Sequence, residues 1–187
     1  MFENVIKHYQ DFPIKGIDFI DIMPFLQDAD TFSQLMHEIN SLVPSPTVAT
    51  VEARGFLFAS PLLTMQGGVS NIVPIRKKGK LPFAEGDLRR VEIKKEYGSD
   101  EVFYRLSDIA AGRVDDGVLH LTFFDDVLAT GGTALGIANA LAAEKVMVDG
   151  RLCRVQVDAF VFLVELLSLG GAEPLRTLAP VHSIIKL

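Results

Sequence analysis

The chain has 187 residues, 49% of them hydrophobic, enough for one domain around a sizeable core, and its single cysteine, Cys153, excludes an intrachain disulfide or a cysteine metal cluster. A formal net charge of −6 and a pI near 5.2 argue against a general nucleic-acid binder, which carries a basic face. No basic region leads into an apolar one at the N-terminus, and Gln156, Asp158 and Glu165 interrupt the most apolar late stretch, so a cytoplasmic protein off the membrane is expected.

From Phe2 to Tyr9 the pattern is weakly helical, and Phe12-Pro13 and Gly16 break it. The following GIDFIDIMPFLQD reads as a loop over the core that buries Phe19, Ile22 and Phe25. Asp28 to Leu42 is a helix: Asp28 or Asp30 can cap it, Phe32, Leu35, Met36 and Ile39 share a face, and Pro44 and Pro46 end it. Thr47 to Val51 is a β-branched run that leads through Glu52-Ala53-Arg54-Gly55 into a second helix, and Asn71 to Ile75 is a further short strand.

Residues 76–100 hold eight lysines and arginines in an acidic protein. Gly79, Pro82 and Gly86 mark a loop or mobile hairpin, and a loop of this length in a compact domain is often a lid; a plain solvated charged face is the competing interpretation. Val102 to Leu106 is the return strand. Leu119 to Phe124 forms a buried strand that stops at Asp125 and Asp126. His120 alternates within it as a packed core side chain. Past Ala129-Thr130-Gly131-Gly132-Thr133 a helix runs to about Glu144, and Val155 to Leu166 is the last strand-like run. Between them, KVMVDGRLCR lengthens the helix or adds a small hairpin.

Strands alternating with helices, with polar residues gathered where strands end, predict a single α/β domain over residues 1–187: a mostly parallel sheet flanked by helices. Ligands bind such sheets beyond the carboxyl ends of the strands. There the string FFDDVLATGGT runs from a strand through two acids and a glycine turn into a helix. Unpaired N–H groups and the helix dipole at Ala129 to Thr133 suit a phosphate, with hydroxyls from Thr130 and Thr133. Asp125 and Asp126 would repel that phosphate but suit sugar hydroxyls, so phosphate and diol together describe a ribose 5-phosphate. A bare Gly-Gly pair would equally fit a plain turn; the complete string is more specific.

That string resembles the phosphoribosyl pyrophosphate (PRPP) signature of type I phosphoribosyltransferases. With DFPIKGIDFIDI, EARGFLFASPL, VPIRKKGKLP, KKEYGSDE and FLVELLSLGG, the chain resembles the adenine phosphoribosyltransferases over most of its length. The resemblance implies an N-terminal hood over residues 1–27, a mobile lid over 77–101, homodimers, and Mg²⁺ bound through the substrate rather than by protein ligands. It implies adenine and PRPP as substrates, with AMP and pyrophosphate as products. It assigns Arg54, Arg76, Lys77 and Lys80 to pyrophosphate and Glu96 with Arg54 to catalysis, Glu96 in proton transfer at the purine. Phe19, Ile20, Glu52 and Tyr97 fall at the base. The family commonly has arginine where this chain has Ile20, which leaves room for another purine base. A regulator that senses PRPP or nucleotide without turnover is the reading from another class, and Glu96, Arg54 and the basic lid speak against it.

Overall fold

The computed structural model describes residues 2–187 except residue 67 and residues 95–98, with only the backbone of Lys94. Its first feature departs from the sequence expectation. Only Phe2–Val5 is a helical turn, and the chain then forms a hairpin of β1 (Lys7–Gln10) and β2 (Asp18–Asp21), with Tyr9 opposite Phe19 and His8 opposite Ile20. Pairing with a segment ten residues away overrides the weak helical pattern of Lys7 to Tyr9. The expected loop over Asp18 to Asp21 is therefore strand, held down by Ile20, Ile22 and Phe25 in the core.

α1 (Ala29–Leu42) begins where Asp28 accepts the Thr31 N–H at 2.8 Å, and it buries Leu35, Met36 and Ile39 as the spacing predicts. β3 (Thr47–Val51) leads into the short α2 (Arg54–Ala59), then β4 (Asn71–Lys77), β5 (Leu88–Lys94), β6 (Ser99–Arg105) and α3 (Leu106–Ala110). β7 (Val114–Asp115) and the long β8 (Val118–Leu128) precede α4 (Gly132–Ala143). β9 (Lys145–Val148), β10 (Arg151–Glu165), α5 (Ala172–Arg176) and β11 (Val181–Lys186) complete the chain.

Among the described residues nine strands join in one sheet, with main order β11-β10-β8-β3-β4-β6-β5. The first five are mutually parallel, and β6 and β5 add antiparallel to the edge. Alternating side chains of β8 feed two cores: Leu121 and Phe123 pack towards α4 and α5, Phe124 towards α1 and α2. Helices thus cover both faces. β3 has β4 on one side and β8 on the other, so the connections diverge there and open a crevice at the carboxyl ends of β3 and β8.

The segment between α4 and β10 is a small hairpin, which settles the alternative left open above. Its turn, Asp149 (φ 48°) and Gly150 (φ 77°), has the two positive φ values of a two-residue hairpin loop. Asp116 (φ 43°) and Gly117 (φ 75°) make the same turn between β7 and β8. Both hairpins lie at the amino ends of β8 and β10, away from the crevice.

Candidate active site

The candidate phosphate cradle is built by backbone. Gly131 (φ 78°) precedes α4, and no side chain caps the helix, so its first N–H groups have no side-chain acceptor. A Cβ at Gly131 would overlap the Gly171 carbonyl oxygen, and one at Gly171 would overlap the Ala129 carbonyl oxygen. Two glycine turns far apart in sequence therefore pack backbone against backbone. The resulting cavity, about 110 Å³, is lined by residues 127–134 with Asp125 and Phe162. Gly171 was readable in the sequence only as part of a motif, with no sign that it shapes this cradle.

The acid pair lies inside β8, which runs on to Leu128 instead of stopping at the acids because β10 goes on pairing with it, and the two carboxylates have different surroundings. Asp125 lines the cradle cavity and accepts the Asp126 N–H at 2.9 Å. Burial first, then the neighbouring Asp126 charge, push the Asp125 carboxyl well above its ordinary pKa. Asp126 is 7% exposed, with Oδ2 2.7 Å from Arg54 Nε. That ion contact lacks hydrogen-bond geometry, so Oδ2 keeps its acceptor capacity. A Cβ at Gly55 would lie 2.6 Å from Thr50 Oγ1 and 3.1 Å from Asp125 Oδ1, so only glycine lets α2 start this close to the acids.

Arg54 also lies over the Phe19 ring, 5.5 Å from its centroid, and Phe19 meets Phe12 edge-on at 5.1 Å. Tyr9, Phe12, Phe19 and Asp21 line an apolar cavity of about 370 Å³ under the β1–β2 hairpin. The Ile20 side chain does not line this cavity. Strand alternation turns it the other way, 6% exposed, into the core with Ile22 and Phe25. Tyr9 and Phe12 were not foreseen; period-two alternation across the hairpin was the signal available.

Glu52 and Arg76 meet across β3 and β4. Arg76 Nε donates to Glu52 Oε2 at 2.6 Å, and the Lys77 N–H donates to Oε1 at 2.8 Å. Burial alone would raise the Glu52 pKa, but the Lys77 amide and Arg76 guanidinium outweigh it and hold the carboxyl below its ordinary value. Arg76 also donates to the Lys80 carbonyl at 3.0 Å, so the start of the basic loop is fastened to the strand end. Arg105 donates to the Pro82 carbonyl, and Asp87 accepts from Ser107, so the rest of that loop is tied to β6 and α3. Lys77 and Lys80 are exposed beside it. Of the predicted residues, Glu96 and Tyr97 lie outside the described residues.

His120 is not a packed core side chain. It is 31% exposed and its Nδ1 lies 3.0 Å from Asp158, at the amino end of β8 and remote from the crevice.

A backbone phosphate cradle, an acid pair and a cationic strand end, gathered where a parallel sheet changes direction, define a phosphoribosyltransferase of the type I fold. No family model matches the chain. Curated relatives do: it is 37% identical to an adenine phosphoribosyltransferase of Ruminiclostridium cellulolyticum, covering 98% of each chain. Among solved structures, the adenine phosphoribosyltransferase of Thermoanaerobacter pseudethanolicus superposes with a TM-score of 0.79 at 33% identity, covering 100% of this chain and 98% of that one. The Saccharomyces cerevisiae enzyme, crystallised with adenine and an iminoaltritol bisphosphate, superposes with a TM-score of 0.75 at 29% identity, covering 96% and 94%. The chain belongs to the adenine phosphoribosyltransferase family.

Proposed function

We propose that this protein transfers the phosphoribosyl group of PRPP to N9 of adenine, giving AMP and pyrophosphate. The observation that carries the proposal is the position of Arg54, which touches the aromatic cavity through Phe19 and the acid pair through Asp126. Base site and sugar site thus share one cation. The 5′-phosphate occupies the cradle of Ala129, Thr130, Gly131, Gly132 and Thr133, and the ribose diol donates to Asp125 and Asp126. Adenine stacks on Phe19.

As the C1–O bond breaks, positive charge grows on the ribose and negative charge on pyrophosphate. Arg54, Arg76, Lys77 and Lys80 face the leaving group, where cations favour the transition state over the bound substrate. Arg54 and Arg76 already hold carboxylate partners, so pyrophosphate competes with Asp126 and Glu52 for them. Release of Glu52 then supplies an acceptor near the base. Glu96 takes part in proton transfer at the purine and Tyr97 adjoins it; both assignments come from the family resemblance alone.

Among the described residues no three acid, histidine or cysteine side chains gather into a metal cage. The Mg²⁺ ion would come with the substrate, held by the oxygens of PRPP rather than by Asp125 and Asp126, which the ribose diol engages. Such an ion would offset the charge leaving with pyrophosphate. Leu57 and Leu63 are 43% and 47% exposed on α2 and the turn after it, and an apolar face next to Arg54 supports a homodimer. No helix among the described residues is long and apolar enough to cross a membrane. A buried Cys153 suits a cytoplasmic setting.

The test incubates the purified protein with Mg²⁺, PRPP and adenine, hypoxanthine or guanine, following nucleotide and pyrophosphate. AMP from adenine alone is expected, and product only from the 6-oxopurines would overturn the assignment of base. In the same assay Glu96→Gln lowers kcat by about 10²- to 10⁴-fold with PRPP affinity kept.

A further inference from the structure

Behind the site, three side chains that no step above uses meet at the far end of α4. Tyr104 of β6 is 1% exposed and donates its hydroxyl to Glu144 Oε1 at 2.7 Å. Arg89 of β5 places Nε 3.3 Å from the same oxygen. Glu144 is the residue that closes α4. Burial, then the Glu144 carboxylate, push the Tyr104 phenol upward, so it keeps its proton and remains a donor.

Each group is unfavourable alone. A carboxylate at a helix C-terminus opposes the dipole, and a phenol inside an apolar cluster needs a partner. Phenylalanine would fill the same space among Val91, Ile93, Leu141 and their neighbours without that need. The two groups satisfy each other only at one register of strand and helix, which apolar packing alone does not specify as tightly.

That register links the two anion sites. The amino end of α4, about 18 Å from its carboxyl end at 1.5 Å per residue over twelve residues, is the phosphate cradle. β6, which carries Tyr104, pairs with β4 at Arg76↔Phe103 and Lys77↔Val102. We propose that Tyr104, Glu144 and Arg89 form a clamp that fixes the separation between the 5′-phosphate cradle and the pyrophosphate cations, which makes Tyr104 and Glu144 positioning residues for PRPP. The inference rests on the phosphoribosyl-transfer reading above. PRPP spans both sites, and its affinity depends on their spacing; ribose 5-phosphate and pyrophosphate each touch one site and are indifferent to it.

The experiment compares wild type with Tyr104→Phe, Glu144→Gln and the double variant, measuring KM for PRPP and the Kd of ribose 5-phosphate and of pyrophosphate separately. Each single variant should raise KM for PRPP about tenfold, the scale of one charge-assisted hydrogen bond, with both one-site ligands held within about twofold. The double variant should be no worse than the worse single one, because the residues act as a unit. Equal weakening of all three ligands would mean general loosening and overturns the clamp, as does an unchanged KM for PRPP. A wild type that makes no AMP would instead sink the functional reading and this inference with it. Ile39→Val, in the opposite core cluster, controls for stability: it lowers Tm without moving KM for PRPP.

Discussion

Arg54 is the residue on which the aromatic cavity and the acid pair converge, and its chemistry is more than charge. Its planar guanidinium lies over Phe19 while Nε faces Asp126, two contacts that a lysine ammonium cannot make together. Arg54→Lys therefore keeps the charge and loses the geometry, and kcat/KM for PRPP should fall about 10²-fold, the lower end for loss of one transition-state donor. Retention of wild-type kcat/KM would show that charge alone suffices. Gly131 is equally specific. Alanine there must adopt a left-handed φ, worth roughly 1–3 kcal/mol of strain, and must displace Gly171 as well. Gly131→Ala should lower Tm and abolish ribose 5-phosphate binding, read by melting and titration.

At the scale of elements, legibility followed sequence distance. The strand, acids and glycine turn from Val118 to Gly132 were readable because every part of that unit is local, and so was α1 with its Asp28 cap. The β1–β2 hairpin was not, because Lys7–Gln10 becomes strand only by pairing with Asp18–Asp21. The same pairing decides that Phe19 meets the aromatic cavity and Ile20 the core. The Glu52–Arg76 ion pair likewise joins two strand ends that only the sheet brings together. The Asp116-Gly117 turn went unread although it is local, because a strand as short as β7 gives little alternation to read beside it. The Asp-Gly hairpins also separate stability from chemistry. A Cβ at Gly150 would meet nothing within 4 Å, so Gly150→Ala should cost only its backbone strain, about 1–2 kcal/mol, in denaturant unfolding. Its kcat should match wild type, and a kcat loss exceeding what instability explains would tie this end of the sheet to the reaction.

The molecule as a whole carries opposed acidic groups, and pH separates them. The Glu52 and Asp87 pKa values lie below their ordinary values of 4.5 and 3.8, so each contributes stability that is present above those values and lost as pH falls. Asp125 works in the other direction. Its raised pKa means that the folded state binds the proton more tightly than the unfolded chain, so its contribution is fully present below pH 3.8 and is lost as pH rises through the folded value. Tyr104, raised above 10.0, adds a further loss only in alkali. Asp125→Asn removes the middle component without touching the others. Its unfolding free energy should match wild type near pH 4 and exceed it increasingly towards neutral pH, measured by urea unfolding at a series of pH values. The same substitution should weaken PRPP binding, because a neutral amide replaces a charged acceptor for the diol. A parallel pair of pH–stability curves would show that Asp125 is not held in its charged form against a cost. A divergent pair with unaltered PRPP affinity would show that the cost serves something other than the ribose. The expected combination, a more stable protein that binds its substrate less well, locates at one carboxylate the strain that the fold sustains for its site.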